Sequence, residues 1–464
     1  NHSRIFFRDK QVYGFNLPGE EGHRRPAFVN LQQYYLEEIL VDCARDAKSV
    51  DLRWKNRVVE IDAHGDRPRL TVETPDGRHA LTCDWLIVAD GAHSPIRRMM
   101  GLDTEAALHE GHFLVADVVM KAEFPAERWF WFDPPFHPDR SVLLYKQADN
   151  VWRVDFQLAP DADPEEERKP EQIVPRIKAL LGDSRDFALE TVSAYRFQCR
   201  RMERFRHGRV LFAGDSARQV PPFGVRGANS GIQDVDNLVW KLKLVIDGKA
   251  PEQLLDTYSE ERVYAADADI RSSMCSGEFI TPTSNASRAF RDATLELAER
   301  HPFARRIVNS GRLSVPLVLA ESSLSVPDAD PFEGAMVPGA PAADAPIAVG
   351  GKASWLLAHL GGKFTGIYFA HRRISESEAE ALTRLISGPI PFEMIVVARP
   401  AETTPTVPDG CLVIEDRTEL ITRTYDGRPG TLYLIRPDQH VAARWRALSV
   451  PLARGAIAHA TCND

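Results

Sequence analysis

The sequence predicts an α/β architecture in which α/β segments flank an α+β region and a smaller α/β unit follows. Three observations lead to this prediction. Apolar runs at 85–90 and 210–213 each lead into an Asp–Gly or Gly–Asp pair, with helical periodicity further on. Short aromatic and β-branched runs fill residues 106–204, as in an antiparallel sheet. Beyond a proline-rich stretch at 321–351, strand-like and helix-like patterns alternate.

The chain opens with a weakly alternating stretch at 5–16 that predicts a hairpin. Residues 28–46 predict a helix, because Leu36, Ile39 and Leu40 share one face at helical spacing. Three strand-like pieces come next, at 57–63, 69–75 and 85–90.

The α+β region contains four strand-like runs, GHFLVADVVMKAEF, RWFWF, SVLLYKQ and VWRVDFQLA. Asp149-Asn150 separates the last two and is typical of a tight turn. Residues 170–182 predict a helix within this region.

A long helix is predicted from about Gly227, with Asn229 or Ser230 as its cap and Gly248 as its end. Its apolar residues recur at steps of three and four and define one face: Ile232, Val235, Leu238, Val239, Leu242 and Val245. The chain is expected to stay mainly helical to about 310, and 321–351 is expected to be a linker or an extended arm.

Composition excludes several function classes. The net charge of −9 argues against nonspecific binding to nucleic acid or acidic membranes. The six cysteines are scattered, with no CxxC pair and no zinc-site spacing, so we expect free thiols, no metal and a cytoplasmic location. No apolar run approaches the ~20 residues of a membrane helix, and no signal peptide is visible.

The segment 208–242 joins a buried-looking strand to the long helix through a loop rich in glycine and proline. Glycines just ahead of a helix let a ligand approach the backbone, and the helix N-terminus favours negative charge. Asp215 at the end of the strand cannot bind that anion, but its carboxylate suits the hydroxyl groups of a sugar or ribityl chain. The segment therefore predicts a ligand site.

A second element supports this prediction. The strand at 85–90 ends in Asp90-Gly91, and Ser94 and Arg97 follow. Open α/β sheets bind ligands at the carboxyl ends of their strands. Arg97 supplies a fixed positive charge that suits phosphate. Asp90 and Asp215 are therefore expected to converge on one cleft.

Together these residues resemble the flavin-dependent aromatic hydroxylases, the family of p-hydroxybenzoate hydroxylase. One family motif matches at Asp90, Gly91, Ser94 and Arg97, and Gln33 with Leu36 resembles the family's Q-x-x-L helix. A further motif matches at Gly214, Asp215, Pro221, Pro222, Gly224, Gly227 and Asn229. The type that acts on 3-(3-hydroxyphenyl)propionate, which has a C-terminal thioredoxin-like domain, is the nearest in pattern.

The resemblance implies a fold of three domains. A discontinuous, Rossmann-like FAD-binding domain is expected over 1–105 and 205–320, with an α+β substrate domain at 106–204. After the linker at 321–351, a thioredoxin-like α/β domain is expected over 352–464. Because this unit has Cys411 but no CxxC pair, a structural or oligomerisation role is expected.

The resemblance also implies the site residues. FAD is expected to contact Gln33, Asp90, Gly91, Arg97, Gly214, Asp215, Pro222, Gly224, Gly227, Ala228 and Asn229. The backbone of Pro222, Phe223 and Gly224 is expected to lie beside the reacting C4a position of the flavin.

Two departures from the family pattern stand out. The family begins with a strand–GxGxxG–helix unit for the ADP end of FAD, and this sequence contains none. We therefore expect that a segment of at least ~30 residues is absent. Arg218 stands where the family usually has His. This extra cation could favour an anionic reduced ring, but we expect it to face solvent.

The implied reaction is hydroxylation of a phenolic compound, expected to be an aromatic acid, by NADPH or NADH and O2 through a flavin C4a-hydroperoxide. The expected partners are therefore small molecules, and a homodimer is expected. Trp129, Trp131, Tyr145 and Arg153 are candidate substrate contacts, but the expected role of each is ordinary core or surface packing. Two alternatives stay open, namely hydroxylation of a polyketide or drug-like ring and a non-catalytic relative that binds a ligand.

Overall fold

The structure is a computed structural model that describes residues 2–16, 22–26, 28–102, 104–120, 125–182, 186–221, 223–309, 317–371, 373–398 and 406–464. The described strands β1 to β21 are, in chain order, His2–Phe7, Lys10–Asn16, Arg57–Asp62, Arg69–Thr74, Gly77–Thr82, Leu86–Val88, Glu105–Val119, Arg128–Phe132, Ser141–Lys146, Val151–Gln157, Ala188–Arg201, Arg206–His207, Val210–Phe212, Arg218–Gln219, Pro346–Val349, Lys352–Trp355, Phe364–Phe369, Phe392–Ala398, Cys411–Glu415, Leu432–Ile435 and Val441–Trp445. The described helices α1 to α11 are Gln33–Asp46, Pro95–Met99, Pro164–Glu167, Pro170–Leu181, Gly227–Ile246, Asp256–Ile280, Asn285–Ala298, Pro302–Asn309, Glu376–Ile386, Leu420–Thr424 and Val450–Ala460.

The largest sheet has eight strands in the order β14-β11-β7-β10-β9-β8-β1-β2. Its neighbours are antiparallel apart from β1 and β8. This confirms an antiparallel sheet with a helix, α4, in the region 106–204. The turn between β9 and β10 has positive φ at both Asp149 and Asn150, which these residue types tolerate.

The two faces of this sheet pack against different helices. Leu114, Trp131 and Val154 belong to a core with α4 residues such as Ile173. On the opposite face, Phe113 belongs to a core that also takes in residues of α6, α7 and α8. The sheet is therefore covered on both sides.

The predicted hairpin at the start of the chain is present as β1 and β2, but its position differs from the expectation. We placed residues 1–105 together in the FAD-binding domain. Instead, β1 pairs in parallel with β8, so the hairpin extends the eight-stranded sheet. The alternation of residues 5–16 predicts a hairpin but carries no information about its long-range partner.

The first helix begins later than predicted, at Gln33 rather than at residue 28. Residues 28–32 lie along the end of the large sheet. There Asn30 and Gln32 donate side-chain hydrogen bonds of 2.8 and 3.1 Å to the carbonyl oxygens of Lys146 and Ala148. None of the side chains of α1 is buried, so its predicted apolar face is open in the structure.

The long helix α5 begins and ends close to the predicted residues, but the predicted apolar face is only partly buried, through Leu238 and Leu242. Ile232, Val235 and Val239 are exposed. The buried side also includes Asp234 and Lys241, which form ion pairs with residues of α6. Apolar periodicity missed this face because its charges are neutralised by partners far along the chain.

The C-terminal unit contains a seven-stranded sheet in the order β16-β15-β19-β18-β17-β20-β21. Its strands β17, β18 and β19 are parallel, and β20 and β21 run antiparallel beside them. The predicted linker at 321–351 is packed rather than free, because β15 joins this sheet and Leu324, Ala340 and Ala345 are buried.

A fully buried charge network joins this unit to α5 and α6. Glu261 of α6 accepts hydrogen bonds of 2.7 Å from Lys241 of α5 and of 2.5 and 2.9 Å from Arg436, beyond β20. Arg436 also donates to Asp438, and Asn237 of α5 bonds both carboxylates. Although burial alone would raise the pKa of Glu261, Arg436 and Lys241 hold it well below its ordinary value. Burial lowers the pKa of Lys241 to about 8.

Within the described parts of the chain, no helix has the length and apolar character to cross a membrane. Nor do those parts bring together three or more His, Cys, Asp or Glu side chains that could hold a metal ion.

Candidate functional site

The two Asp-bearing strand ends lie side by side. Strands β6 and β13 are parallel, with Phe212 opposite Val88. The Ser216 hydroxyl lies 2.7 Å from the Val88 carbonyl oxygen, and the backbone amide of Ala213 donates to that oxygen at 3.0 Å. Asp90 and Asp215 follow these ends, so the two acids lie at the same sheet edge as expected, and their shared cleft stays a prediction.

The residues after β6 form a compact turn. Ser94 caps the short helix α2 by accepting a 3.0 Å hydrogen bond from the amide of Arg97. Asp90 accepts a 3.1 Å bond from the amide of Ile96. Gly91 has φ +81°, which favours glycine, and the space where a side chain would project is open. A ligand could therefore approach the backbone here.

Arg97 does not present a free charge to a phosphate, contrary to our expectation. Its side chain is buried and donates to the carbonyl oxygens of Ser216 at 2.5 Å and Ala92 at 3.0 Å. Gln219 donates to the same Ala92 oxygen at 2.6 Å. Arg97 therefore ties the two strand-end loops together, because carbonyl groups left unpaired by the turns attract its planar donors.

Asp215 is exposed, yet the surrounding protein raises the pKa of its carboxyl group, and Arg218 only partly opposes that effect. The exposed carboxylate of Asp215 is therefore accessible to hydroxyl groups of a ligand that binds at the strand ends.

Arg218 is buried, so the expectation that it faces solvent is wrong. It donates a 3.1 Å hydrogen bond to Asp234, which also accepts 2.6 Å from Arg262 and 3.0 Å from the amide of Gly214. Asp269 lies 3.9 Å away from the Arg218 guanidinium. Carboxylates from α5 and α6 thus offset the cost of burying this cation, and Asp234 holds the strand-end glycine in place.

The loop ahead of α5 is pinned by Arg226. Its guanidinium donates to the Phe223 carbonyl oxygen at 2.9 Å and to Ser272 at 2.8 Å. Gly224 is buried with φ +86°, a conformation that favours glycine. Pro222 lies outside the described residues. The described part of the loop is therefore a fixed element whose backbone can line a site.

The predicted side-chain cap of α5 is wrong. Arg226 occupies the N-cap position, and no side-chain cap bond is made. Asn229 donates to the Val225 carbonyl oxygen, and Ser230 donates to Asp269 at 2.5 Å. Gly227, Ala228 and Asn229 are half-buried or exposed, so backbone amides of the first turn stay available to an anionic group.

These residues fit FAD. Asp215 offers a carboxylate to hydroxyl groups, and the first turn of α5 offers amides to an electron-rich ring edge. A Cβ added to Gly231 would lie 3.5 Å from the Gly214 Cα, so α5 packs closely under the end of β13. Gln33 lies at the start of α1 with its side chain exposed and bonded to Glu37 at 2.6 Å.

The large sheet meets the loop through aromatic rings. Phe223 lies 5.6 Å from Phe113 of β7, centroid to centroid. Of the four candidate substrate residues, Trp129 and Trp131 lie on the face of the sheet that packs against α4. Tyr145 and Arg153 lie on the same face as Phe113, as the strand registers require.

Arg153 is held by Asp117 through two hydrogen bonds of 2.8 Å. The structure adds two residues that we did not predict, Arg128 and Asp155. The guanidinium of Arg128 lies 4.9 Å from the ring centre of Tyr145, and Asp155 lies between Leu143 and Val115 in the cross-strand register. The signal was the alternation in VWRVDFQ, which puts Arg153, Asp155 and Gln157 on one face.

Comparison with known proteins is consistent with this site. The family model described as FAD binding domain matches residues 13–273, more than half of the chain. The 3-(3-hydroxy-phenyl)propionate/3-hydroxycinnamic acid hydroxylase of Klebsiella pneumoniae (strain 342) is 31% identical over 284 residues, which cover 61% of this chain and 50% of that protein. Its counterpart numbered 2 in Burkholderia vietnamiensis (strain G4 / LMG 22486) is 28% identical over 92% of this chain and 77% of its own. The chain thus spans about half the length of the Klebsiella relative.

Solved structures share the fold across nearly the whole chain. The flavin-dependent monooxygenase PieE, in complex with FAD and substrate, has a TM-score of 0.82 at 19% identity, covering 99% of this chain and 87% of that one. Aklavinone-11 hydroxylase with FAD and aklavinone has a TM-score of 0.77 at 20% identity, covering 99% and 85%. At such identities the likeness shows the fold alone.

Proposed function

Because the chain belongs to the family of FAD binding domains, we propose that it acts in an FAD-dependent hydroxylase that inserts one oxygen atom of O2 into a phenolic aromatic acid. NADH or NADPH is the proposed reductant. The observation that carries the proposal is the meeting of the Asp90 and Asp215 strand ends at one sheet edge, tied together by Arg97.

Bound FAD supplies the redox chemistry and the activation of O2. The protein supplies binding, orientation and exclusion of water. We assign Asp215 to hydroxyl groups of the cofactor, and the first turn of α5, at Gly227, Ala228 and Asn229, to negative charge on the ring. The backbone at Phe223 and Gly224 would line the reacting side of the ring. Gln33, Asp90, Gly91 and Gly214 complete the proposed cofactor contacts.

Arg128 supports an aromatic acid as the substrate. Its guanidinium stacks over Tyr145 at 4.9 Å and over Phe28 at 5.6 Å. No carboxylate of the described residues forms an ion pair with the Arg128 guanidinium. A stacked cation without such a partner suits the carboxylate of an arylalkanoic acid. The curated relatives are named for substrates of this kind, 3-(3-hydroxyphenyl)propionate and 3-hydroxycinnamate.

A polyketide-like ring is the second candidate substrate, because the similar structure of aklavinone-11 hydroxylase holds aklavinone.

We also propose that the C-terminal unit is thioredoxin-like and that the protein is a homodimer. The mixed sheet of the C-terminal unit, with its three central parallel strands, supports the thioredoxin-like assignment. Sedimentation or light scattering would test the second.

The test of the proposed function is oxidation of NADH and NADPH by the flavin-loaded protein with a panel of phenolic acids and polyketide phenols. Oxygen uptake, peroxide release and hydroxylated product would be measured together. Product formed from a phenolic acid in proportion to reductant supports the proposal. Protein that cannot retain flavin, or that forms only peroxide with every phenolic acid, would contradict it.

A further inference from the structure

Cross-strand registers arrange the side chains of the large sheet in rows on the face that Phe223 contacts. The row nearest the loop includes Phe113 and Gln157, which are opposite each other on β7 and β10. The next row is mostly apolar but contains an acid, and comprises Phe130, Leu143, Asp155, Val115 and Ser193. The third row is charged, and comprises Arg128, Tyr145, Arg153, Asp117 and Thr191.

Asp155 is the anomaly in this pattern. Its Oδ1 atom is buried and has no hydrogen-bond partner among the described residues, although the residue as a whole is only half-buried. A buried carboxylate oxygen without a donor is unfavourable. A donor from a ligand that binds against this face of the sheet can satisfy this oxygen, because the residue is only half-buried.

The neighbouring charged groups do not satisfy this acid. Arg153 on the same strand is held by Asp117 of β7, and Arg128 of β8 is stacked on Tyr145 of β9. Burial raises the pKa of Asp155 to about 7, Arg153 and Arg128 oppose that rise, and Asp117 adds to it. Burial, with a contribution from Asp155, also raises the pKa of Tyr145, so the phenol of Tyr145 stays neutral.

We propose that Asp155 accepts the proton of the substrate's phenolic hydroxyl, an assignment that rests on the proposed function. The phenolic O–H bond breaks, an O–H bond forms on the Asp155 carboxylate, and the electron pair stays on the phenolate oxygen. A phenolate ring is richer in electrons than a phenol, so it accepts an electrophilic oxygen more readily. A base with a pKa near the working pH is the most effective for this step.

The spacing fits a hydroxyaryl acid. Asp155 lies two strands and one row away from Arg128. With strands about 4.8 Å apart and alternate residues about 7 Å apart, their Cα atoms are about 12 Å apart. A hydroxyaryl acid with a short carboxylate chain has a length of the same order, so its phenol and its carboxylate suit these two positions. The row of Asp155 is also adjacent to Phe113, which contacts Phe223 of the loop.

The test compares binding of 3-(3-hydroxyphenyl)propionate with binding of its methyl ether, 3-(3-methoxyphenyl)propionate, by calorimetry on the purified flavin-loaded protein. A hydrogen bond to a charged group corresponds to about 10- to 100-fold in affinity. We expect the wild type to prefer the phenol by this factor above neutral pH. The preference should shrink as pH falls through about 7, since protonation removes the charge of Asp155.

Asp155→Leu should abolish the preference for the phenol, and Asp155→Glu should restore part of it. Asp161→Asn is the matched control, because Asp161 is an exposed carboxylate shortly after the same strand, and it should retain the preference. In turnover, kcat/KM of the wild type should rise with pH to a plateau around an apparent pKa near 7, and the Leu variant should lack this rise. The binding comparison is informative even where a variant turns over slowly.

Failure of this inference is distinguishable from failure of the proposed function. If the wild type forms hydroxylated product but binds phenol and ether equally, or if Asp155→Leu keeps the preference, the role of Asp155 is refuted and the function stands. If the preference depends on Asp155 but no phenolic acid is hydroxylated, the function is refuted and the contact stands. If neither compound binds, the proposal for Asp155 is refuted for this substrate class.

Discussion

Replacing Asp155 with Asn should stabilise the protein at alkaline pH. The carboxyl group has a pKa of about 7 in the folded chain against 3.8 for the ordinary group. The folded state therefore binds more protons than the unfolded state between these values, and the free energy of unfolding falls as pH rises across this window. Each pKa unit corresponds to about 1.4 kcal/mol, so the full cost above neutral pH is at most about 4 kcal/mol.

Asn is similar in shape to Asp but cannot ionise, so the variant avoids this cost. The hydrogen bonds that Asn gains or loses are the same at every pH. The informative quantity is therefore how the stability difference between variant and wild type changes between about pH 5 and about pH 8. We expect this difference to move by about 1–3 kcal/mol in favour of the variant at the higher pH, because about two pKa units of the shift lie between these pH values and water has partial access to the acid.

Urea unfolding followed by tryptophan fluorescence measures this difference, because Trp129, Trp131 and Trp152 all lie in the strands around Asp155. Asp161→Asn, at the exposed site, should show no pH-dependent change. An equal effect of Asp155→Asn at both pH values would show that Asp155 ionises normally, and a larger stabilisation at the acidic pH would show that its pKa is lowered in the folded protein. The physical basis of the proton-acceptor assignment would then be lost.

Three further outcomes are expected. Asp215→Ala should weaken retention of FAD during gel filtration, measured as the flavin-to-protein absorbance ratio, because hydroxyl groups lose an acceptor; an unchanged ratio and turnover would remove Asp215 from the site. Arg128→Leu should raise KM for a phenolic acid by about 10-fold or more, with a smaller effect on its uncharged amide; equal effects on both would count against carboxylate binding. Arg436→Met should destabilise the protein by about 3–5 kcal/mol in thermal unfolding, since Glu261 and Asp438 stay buried without their shared cation, and Glu261→Gln in the same background should recover part of this loss.

Local patterns were sufficient to predict most elements and the meeting of the two strand ends. The Asp-bearing strands at 85–90 and 210–213 could be paired because parallel strands align their carboxyl ends. Alternation placed Tyr145 and Arg153 in strands, but only the register shows which face they share with Phe113.

Long-range pairing explains what could not be predicted. Arg218 looks like a surface cation in sequence, because its partners Asp234 and Asp269 lie on other elements. Arg97 looked suited to phosphate, because the carbonyl group of Ser216 comes from a loop 119 residues away. In each case the local sequence specifies a charge, and the fold decides whether protein or ligand neutralises it.

The charge network of Glu261, Lys241 and Arg436 has a consequence for evolution and engineering. A shortened chain that ended before β15 would expose Lys241 and Glu261 without Arg436, and would uncover Trp240, which packs with Phe364 and Trp445. The last quarter of the chain therefore packs against α5 and α6 as an integral part of the fold. A shortened variant would need substitutions at the residues of α5 and α6 that this part covers.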